Sequence, residues 1–307
     1  MTTPVLDIAY EQFGKFGESG ESGESGESGA GAGVPVVLLH GFPYDVRAFD
    51  EVAARLAARG RIALVPYLRG CGPTAFRDEG TMRSGQQAAL GQDLADFLDA
   101  LGIGRAVVAG YDWGGRAACV AAALWPERVA GLVTGGGYLV QDIAGSVEPV
   151  SPEAERNLWY QHYFHSERGR RGLERNREEL CALLWRLWSP TWAGAGEAFG
   201  ASAASLHNPD FVDVVVHSYR HRFGLVAGDP RYQALEDRLA AGPPITVPTV
   251  VLVGGADGVI PADVQGDTGR FRGPCEVTVL PGIGHNVPQE APGAFADAVL
   301  GLPGPPN

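Results

Sequence analysis

The 307-residue chain has few cysteines and no excess of basic residues. Its four cysteines lie far apart without a C-x-x-C pair, which predicts reduced thiols rather than a disulfide framework: Cys71, Cys119, Cys181 and Cys275. Lys and Arg number 24 against 36 Asp and Glu, so the formal net charge is −12. Because a basic footprint is missing, neither nucleic acid nor an anionic membrane surface is an expected partner.

Long hydrophobic runs are missing as well. No segment approaches the ~18 continuous apolar residues that a membrane span needs, and the N-terminus has no basic stretch followed by an apolar run. We therefore expect a soluble, cytoplasmic protein. With 45% hydrophobic and 20% charged residues, a chain of this length can bury the core of one large α/β domain.

One segment differs in composition from the rest. Residues 18–29 repeat E-S-G four times, and A-G-A-G follows at 30–33. This segment has no apolar residues to bury, so we predict that residues 18–33 form a flexible acidic loop at the turn of a hairpin. The lack of proline excludes a collagen-like structure.

Short apolar runs alternate with helical patterns along most of the chain. The apolar, β-branched runs predict buried strands at residues 34–40, 61–66, 105–110, 129–134, 248–254 and 275–280. The helical patterns lie at residues 46–59, 84–101, 115–125, 261–271 and 291–300. This α/β alternation predicts a mostly parallel sheet with helices on both faces, and residues 5–13 would supply an antiparallel edge.

The alternation stops between about residues 138 and 228. No buried-strand run appears there, and four of the six tryptophans crowd into it: Trp159, Trp185, Trp188 and Trp192. We predict a helical cap over 138–228, inserted after the sixth strand, and a core of residues 1–137 and 229–307. Such a cap would roof the carboxyl ends of the strands, where open α/β sheets bind ligands.

The sequence G-Y-D-W-G at residues 110–114 joins a predicted strand directly to a helix. A G-x-nucleophile-x-G elbow places one side chain on a tight turn above the sheet. Asp112 stands at the nucleophile position, and its carboxylate can attack a tetrahedral carbon to give an alkyl ester. An aspartate that only caps the following helix is the structural alternative.

Two further candidate residues follow later strands. Asp257 comes just after the strand at 248–254, and His285 lies in the loop after 275–280. Nucleophile, acid and histidine therefore occur in the order of the α/β-hydrolase triad. His285 would take a proton from water, while Asp257 would fix its tautomer and stabilise the imidazolium.

The motif H-G-F-P at residues 40–43 also ends a predicted strand. The backbone N–H groups of Phe42 and Trp113 would face the Asp112 oxygen that becomes negative when water attacks the ester. Pro43 would fix the turn, and a cis bond suits that position.

Together these motifs resemble the α/β-hydrolase superfamily, and within it the aspartate-nucleophile branch of epoxide hydrolases and haloalkane dehalogenases. The resemblance covers nearly the whole chain except the E-S-G loop and implies an α/β-hydrolase fold. Epoxide hydrolases carry two lid tyrosines that donate hydrogen bonds to the epoxide oxygen. The segment W-Y-Q-H-Y-F at 159–164 is similar to the first tyrosine motif, with Tyr160 at the catalytic position, and Ser218-Tyr219-Arg220 is similar to the second.

Two other uses of this scaffold stay open. A hydrolytic dehalogenase of haloalkanes or haloacids must bind the halide with two N–H donors. Haloalkane dehalogenases resemble the chain at Trp113 but carry Asn where Phe42 stands, so a lid tryptophan, Trp185 or Trp188, would have to replace that donor. Arg116 is loosely similar to a second arginine of fluoroacetate dehalogenases. The other alternative is a cyclase or a ligand-binding protein without turnover.

The leading prediction is an enzyme that opens an epoxide to a vicinal diol through an ester on Asp112. We expect a small-molecule substrate in a pocket lined by His40, Trp113, Trp185 and Trp188. No cofactor or metal is expected, because no His/Cys/Asp cluster has ligand spacing. The sequence does not name the epoxide, and it allows a homodimer.

Overall fold

The computed structural model describes residues 1–15 and 33–302. Apart from Gly33, the predicted acidic loop of residues 18–33 lies outside the described residues. The strands of the described part are β1 (Leu6–Asp7), β2 (Tyr10–Phe13), β3 (Val36–Leu39), β4 (Ala63–Pro66), β5 (Ala75–Phe76), β6 (Ala106–Tyr111), β7 (Val129–Gly135), β8 (Thr249–Gly254) and β9 (Cys275–Leu280).

Within the described ranges, seven strands form one sheet in the order β2-β4-β3-β6-β7-β8-β9. β2 is antiparallel to β4, and every other neighbouring pair is parallel. The predicted mostly parallel sheet with an antiparallel edge is confirmed. The predicted hairpin is wrong, because β4 lies between β2 and β3, so the chain segment that joins them does not connect neighbouring strands.

A second, two-stranded sheet pairs β1 with β5. The sequence does not reveal β5, since two residues show no periodicity. The helical insertion therefore follows β7, which is the seventh described strand in chain order and the fifth of the larger sheet, rather than a sixth strand. Its place in the sequence is as predicted.

Helices pack on both sides of the sheet. α1 and α13 pack on each other and against β4, β7 and β8, while α2 packs on α3, which lies on β3, β6 and β7. The helices are α1 (Asp50–Ala57), α2 (Gln87–Ala100), α3 (Asp112–Leu124), α4 (Pro152–Asn157), α5 (Trp159–His165), α6 (Glu167–Arg175), α7 (Arg177–Trp188), α8 (Ala195–Ser202), α9 (Phe211–His221), α10 (Gln233–Ala240), α11 (Ala262–Gln265), α12 (Val287–Glu290) and α13 (Pro292–Gly301).

The helix predicted over residues 261–271 is wrong in length. Only one turn forms, α11, and Gly266 ends it. Gly266 and Gly269 disfavour a longer helix, because glycine loses much conformational freedom in a helix. The chain instead runs to Phe271, which forms a parallel bridge with Ile245.

The chain between β7 and β8 is helical. α5 packs against α6 and α9, and α6 packs against α7, whereas α10 lies on the core helices α2 and α3. The division into a cap of 138–228 and a core of 1–137 and 229–307 stays a prediction. None of the helices in the described ranges is both long and apolar enough to span a bilayer.

Candidate active site

Asp112 occupies a strained turn between β6 and α3. Its φ of 51° lies in the left-handed region, which Asp tolerates better than most side chains. Small neighbours make the turn feasible. A Cβ on Gly110 would lie 2.6 Å from the carbonyl carbon of Gly114, and one on Gly114 would overlap the carbonyl oxygen of Leu39. The elbow therefore requires glycine at both flanking positions.

Two backbone amides hold one oxygen of this carboxylate. Asp112 Oδ1 accepts N–H bonds from Phe42 at 2.7 Å and from Trp113 at 2.6 Å. The loop that carries Phe42 passes so close that a Cβ on Gly41 would lie 2.5 Å from Asp112 Cβ. The Phe42–Pro43 peptide bond is cis. The structure thus brings both predicted donors to Oδ1 and leaves Oδ2 free of backbone partners.

The second oxygen faces the predicted histidine. His285 Nε2 lies 3.4 Å from Asp112 Oδ2, and His285 Nδ1 lies 2.8 Å from Asp257 Oδ2. All three side chains are largely buried. The three residues predicted as a triad therefore lie together, in a single hydrogen-bonded row.

Asp257 has further partners that sequence reasoning missed. Its Oδ1 accepts the N–H groups of Val259 and Ile260, at 2.7 and 3.2 Å, and Gln265 Nε2 donates to its Oδ2 at 2.9 Å. Gln265 lies on α11, a short distance after the acid in the sequence. This arrangement holds the carboxylate in one orientation toward His285.

A second missed contact holds the histidine loop. Glu290 accepts the N–H groups of Gly284 at 2.7 Å and Asn286 at 3.1 Å, and Ser189 Oγ donates to it at 2.6 Å. The His285 N–H in turn donates to Ser189 Oγ at 3.2 Å. Ser189 follows α7, so residues about a hundred positions apart share this contact and no local motif records it.

The triad forms an ion pair. Burial lowers the pKa of His285, but the charges of Asp257 and Asp112 outweigh it and raise that pKa to about 10. Burial raises the pKa of Asp112, but the hydrogen bond and charge of His285 outweigh it and lower that pKa. At neutral pH the free protein therefore holds an Asp112 carboxylate beside a His285 imidazolium. Loss of the Asp112 charge would make His285 a better base.

We expect Asp112→Asn to lower the pKa of His285 from about 10, as measured by NMR titration of its ring C–H signals. The folded-state pKa lies above the ordinary value of 6.5, so the imidazolium stabilises the fold below that pH and loses this effect as the pH rises through about 10. The free energy of unfolding should consequently vary less with alkaline pH in the variant. Asp237→Asn, at an exposed position, is the control, and an unchanged His285 pKa in Asp112→Asn would contradict the ion pair.

A cavity of about 290 Å³ borders Asp112 and His285, and both predicted lid tyrosines line it. Tyr160 comes from α5 and Tyr219 from α9, with ring centroids 5.4 Å apart. Burial raises the pKa of Tyr160 to about 12 and that of Tyr219 well above its usual value. Gln161 Nε2 donates to the Tyr160 hydroxyl at 3.0 Å, which leaves the hydroxyl hydrogen available for another acceptor. Both tyrosines can therefore act as donors at neutral pH.

Two of the predicted pocket residues have structural roles instead. His40 donates from Nδ1 to the Gly41 carbonyl at 2.9 Å and accepts the Leu68 N–H at Nε2, at 3.1 Å. Burial lowers the pKa of His40 to about 4, so the ring is neutral. Trp185 Nε1 donates to the Pro43 carbonyl at 3.0 Å. Neither side chain lines the catalytic cavity, and their assignment to the pocket wall is wrong.

The other two, Trp113 and Trp188, also lie behind the cavity wall rather than on it. Trp113 stacks on Phe42 at 5.5 Å between ring centroids. Trp188 lies 4.9 Å from the Tyr160 ring and 5.2 Å from the His285 ring. These indoles fill the space between core and insertion and support the residues that do reach the cavity. Four polar side chains that sequence reasoning did not place there line it instead: Arg116, Gln141, Gln161 and Arg222.

Comparison with known proteins adds to this geometry. Residues 34–292 match the family described as alpha/beta hydrolase fold. The structure is similar to the crystal structure of a protein from Klebsiella pneumoniae named a putative epoxide hydrolase, with a TM-score of 0.90 and 40% identity over 98% of this chain and 95% of that one. The sequence is 27% identical to an epoxide hydrolase from Caballeronia sordidicola, over 88% of this chain and 87% of the relative. It is 28% identical to epoxide hydrolase A of Mycobacterium tuberculosis, over 87% and 90%.

Proposed function

Because the chain belongs to the α/β-hydrolase fold family, as its sequence predicts, we propose that it hydrolyses epoxides to vicinal diols through a covalent ester on Asp112. One observation carries this proposal. Asp112 Oδ2 and His285 border the same cavity as two protonated tyrosines, while two amides hold Asp112 Oδ1. The relatives with similar sequences are named epoxide hydrolases, which agrees with that chemistry.

In the first half-reaction, Asp112 Oδ2 attacks an epoxide carbon and the carbon–oxygen bond of the ring breaks. Tyr160 and Tyr219 donate hydrogen bonds to the departing oxygen, and a proton from one of them completes the alcohol. The new ester removes the negative charge of Asp112. Since that charge helps to raise the pKa of His285, the imidazolium then releases its proton, which restores the tyrosine and leaves a neutral base.

In the second half-reaction, neutral His285 takes a proton from water, and the hydroxide adds to the ester carbon. Asp112 Oδ1 becomes negative and is stabilised by the amides of Phe42 and Trp113, which already lie within 2.7 Å of it. Collapse breaks the bond between the ester carbon and Oδ2, and His285 protonates the leaving diol oxygen. The new carboxylic acid returns its proton to His285, which restores the ion pair.

The halide alternative has weaker support. A halide requires N–H donors on the cavity, but the Trp185 indole already donates to a carbonyl, and the indoles of Trp113 and Trp188 lie behind the wall. The hydroxyls of Tyr160 and Tyr219 suit a departing epoxide oxygen, which needs both stabilisation and a proton. The cavity therefore favours epoxide opening.

We expect Tyr160→Phe and Tyr219→Phe each to slow ester formation by about 10²-fold, and the double variant to slow it much further. Each change removes one donor from a developing alkoxide in a cavity that excludes most water. Rapid-quench measurement of a single turnover gives the rate. Tyr163→Phe is the matched control, because Tyr163 lies on the same helix but does not line the cavity. Wild-type rates in both single variants would rule out the tyrosine assignment.

A further inference from the structure

Two arginines line the catalytic cavity without a carboxylate partner. Arg116 lies on α3, four residues after Asp112, and Arg222 follows the last residue of α9. Arg116 is only 6% exposed. Among the residues that the structure describes, no carboxylate oxygen lies within 4.0 Å of either guanidinium. Two cations of the cavity wall are therefore not neutralised by direct ion pairs.

The two side chains converge on one neutral group. With the Gln141 amide in the orientation that satisfies its neighbours, its oxygen accepts the Nε–H groups of Arg116 and Arg222, at 3.3 Å each. Gln141 is itself held in place by Gln87, whose amide exchanges two hydrogen bonds with the Gln141 backbone at 2.7 and 3.3 Å. The remaining donors of both guanidiniums are consequently close together on a fixed support.

The carboxylates that line this cavity are already occupied. Asp112 is bound by two amides and His285, and Asp142 Oδ1 accepts the N–H of Gly145 at 2.8 Å. Burial lowers the pKa of Arg116 to about 10, and the neighbouring charge of Arg222 adds to this effect. A buried cation without an anionic partner is costly, because its lost hydration is not replaced. An anion in the cavity would relieve both the desolvation and the mutual repulsion.

We propose that the substrate carries a carboxylate, which Arg116 and Arg222 bind together while Asp112 attacks the epoxide carbon. This inference rests on the proposed function and specifies its substrate class. Arginine binds carboxylates through two parallel N–H bonds, so the pair would orient the substrate as well as attract it.

The spacing limits the length of that substrate. Residues four apart on a helix have Cβ atoms about 5–6 Å apart, so Arg116 projects from one turn beyond the nucleophile. The carboxylate must therefore lie a few bonds from the carbon that Asp112 attacks. A short epoxy acid fits this requirement, whereas a long fatty-acid epoxide would place its carboxylate too far away.

The test compares 2,3-epoxybutanoate with its neutral amide, which has the same carbon skeleton. We expect wild-type kcat/KM to be at least about tenfold higher for the acid, given the strength of charge-assisted hydrogen bonds. Arg116→Gln and Arg222→Gln should each remove most of this preference, mainly through KM, and leave kcat/KM for the amide nearly unchanged. Arg186→Gln removes the same charge from an exposed position of α7 and is the control.

The outcomes separate the inference from the proposed function. If wild type opens the amide as well as the acid, or if the arginine variants lose both activities equally, the carboxylate site is overturned and epoxide hydrolysis stands. If neither compound is opened, the proposed function fails, and calorimetry with 2,3-dihydroxybutanoate and its amide decides the inference. Binding of the acid that weakens about tenfold in Arg222→Gln, whose side chain is only partly buried, supports the site even if Arg116→Gln does not fold, and equal binding of acid and amide overturns it.

Discussion

The intact mass of a His285→Gln variant is expected to rise by the whole mass of an epoxide substrate. Glutamine cannot take a proton from water, so the second half-reaction stops. Asp112 Oδ2 stays free to attack, because its partner oxygen is held by backbone amides that the substitution does not touch. The ester should therefore form and persist, and digestion should place it on the peptide containing Gly110–Gly115. Mass spectrometry of the protein and its digest gives both results.

The same measurement distinguishes the two covalent chemistries. Ring opening retains every substrate atom, whereas displacement of a halide adds the substrate less one hydrogen halide. His207→Gln, at an exposed position of the chain, is the control and should accumulate no adduct. If the wild type turns over a substrate but the mass of His285→Gln stays constant, water attacks directly, and Asp112 becomes its base.

Replacement of Asp112 should have the largest effect on turnover. We expect Asp112→Ala to lower kcat/KM by about 10⁴-fold or more, since removal of a residue in a cooperating catalytic group typically has an effect of this size. Alanine is also strained at a φ of 51°, by about 1 kcal/mol. Asparagine tolerates that conformation better, so Asp112→Asn should be inactive with a higher melting temperature than Asp112→Ala. Steady-state kinetics and thermal unfolding test the two expectations.

Asp237→Asn, an exposed substitution on α10, should keep both activity and stability. Full activity in Asp112→Ala would exclude a covalent ester on this residue. A ligand-binding protein would show a third pattern, with ligand affinity but no turnover in the wild type.

Local sequence carries much of the candidate site. Gly110 and Gly114 mark the elbow because no side chain fits where β6 turns into α3, and that steric requirement is visible in five consecutive residues. Asp257 and His285 follow strands that prove to be neighbours in a parallel sheet. Since the carboxyl ends of parallel strands meet at one edge, chain order alone predicts that these residues come together.

Aromatic side chains show where such reasoning fails. Trp185 and Trp188 have the composition expected of a pocket wall, but they pack between the insertion and the core, while Tyr160 and Tyr219 reach the cavity. A buried aromatic satisfies the hydrophobic effect equally well in either place. Only the direction in which each helix presents its side chains decides between them.

What the sequence by itself determined are features whose physical cause is local: the buried strands, the glycines of the elbow, and the order of nucleophile, acid and histidine. Tertiary structure decided the pairing of β2 with β4, the support of His285 by Ser189 and Glu290, and the approach of Arg222 to Arg116. These contacts join residues far apart in the chain, and their free energy depends on how helices pack rather than on neighbouring residues. No local pattern records them for that reason.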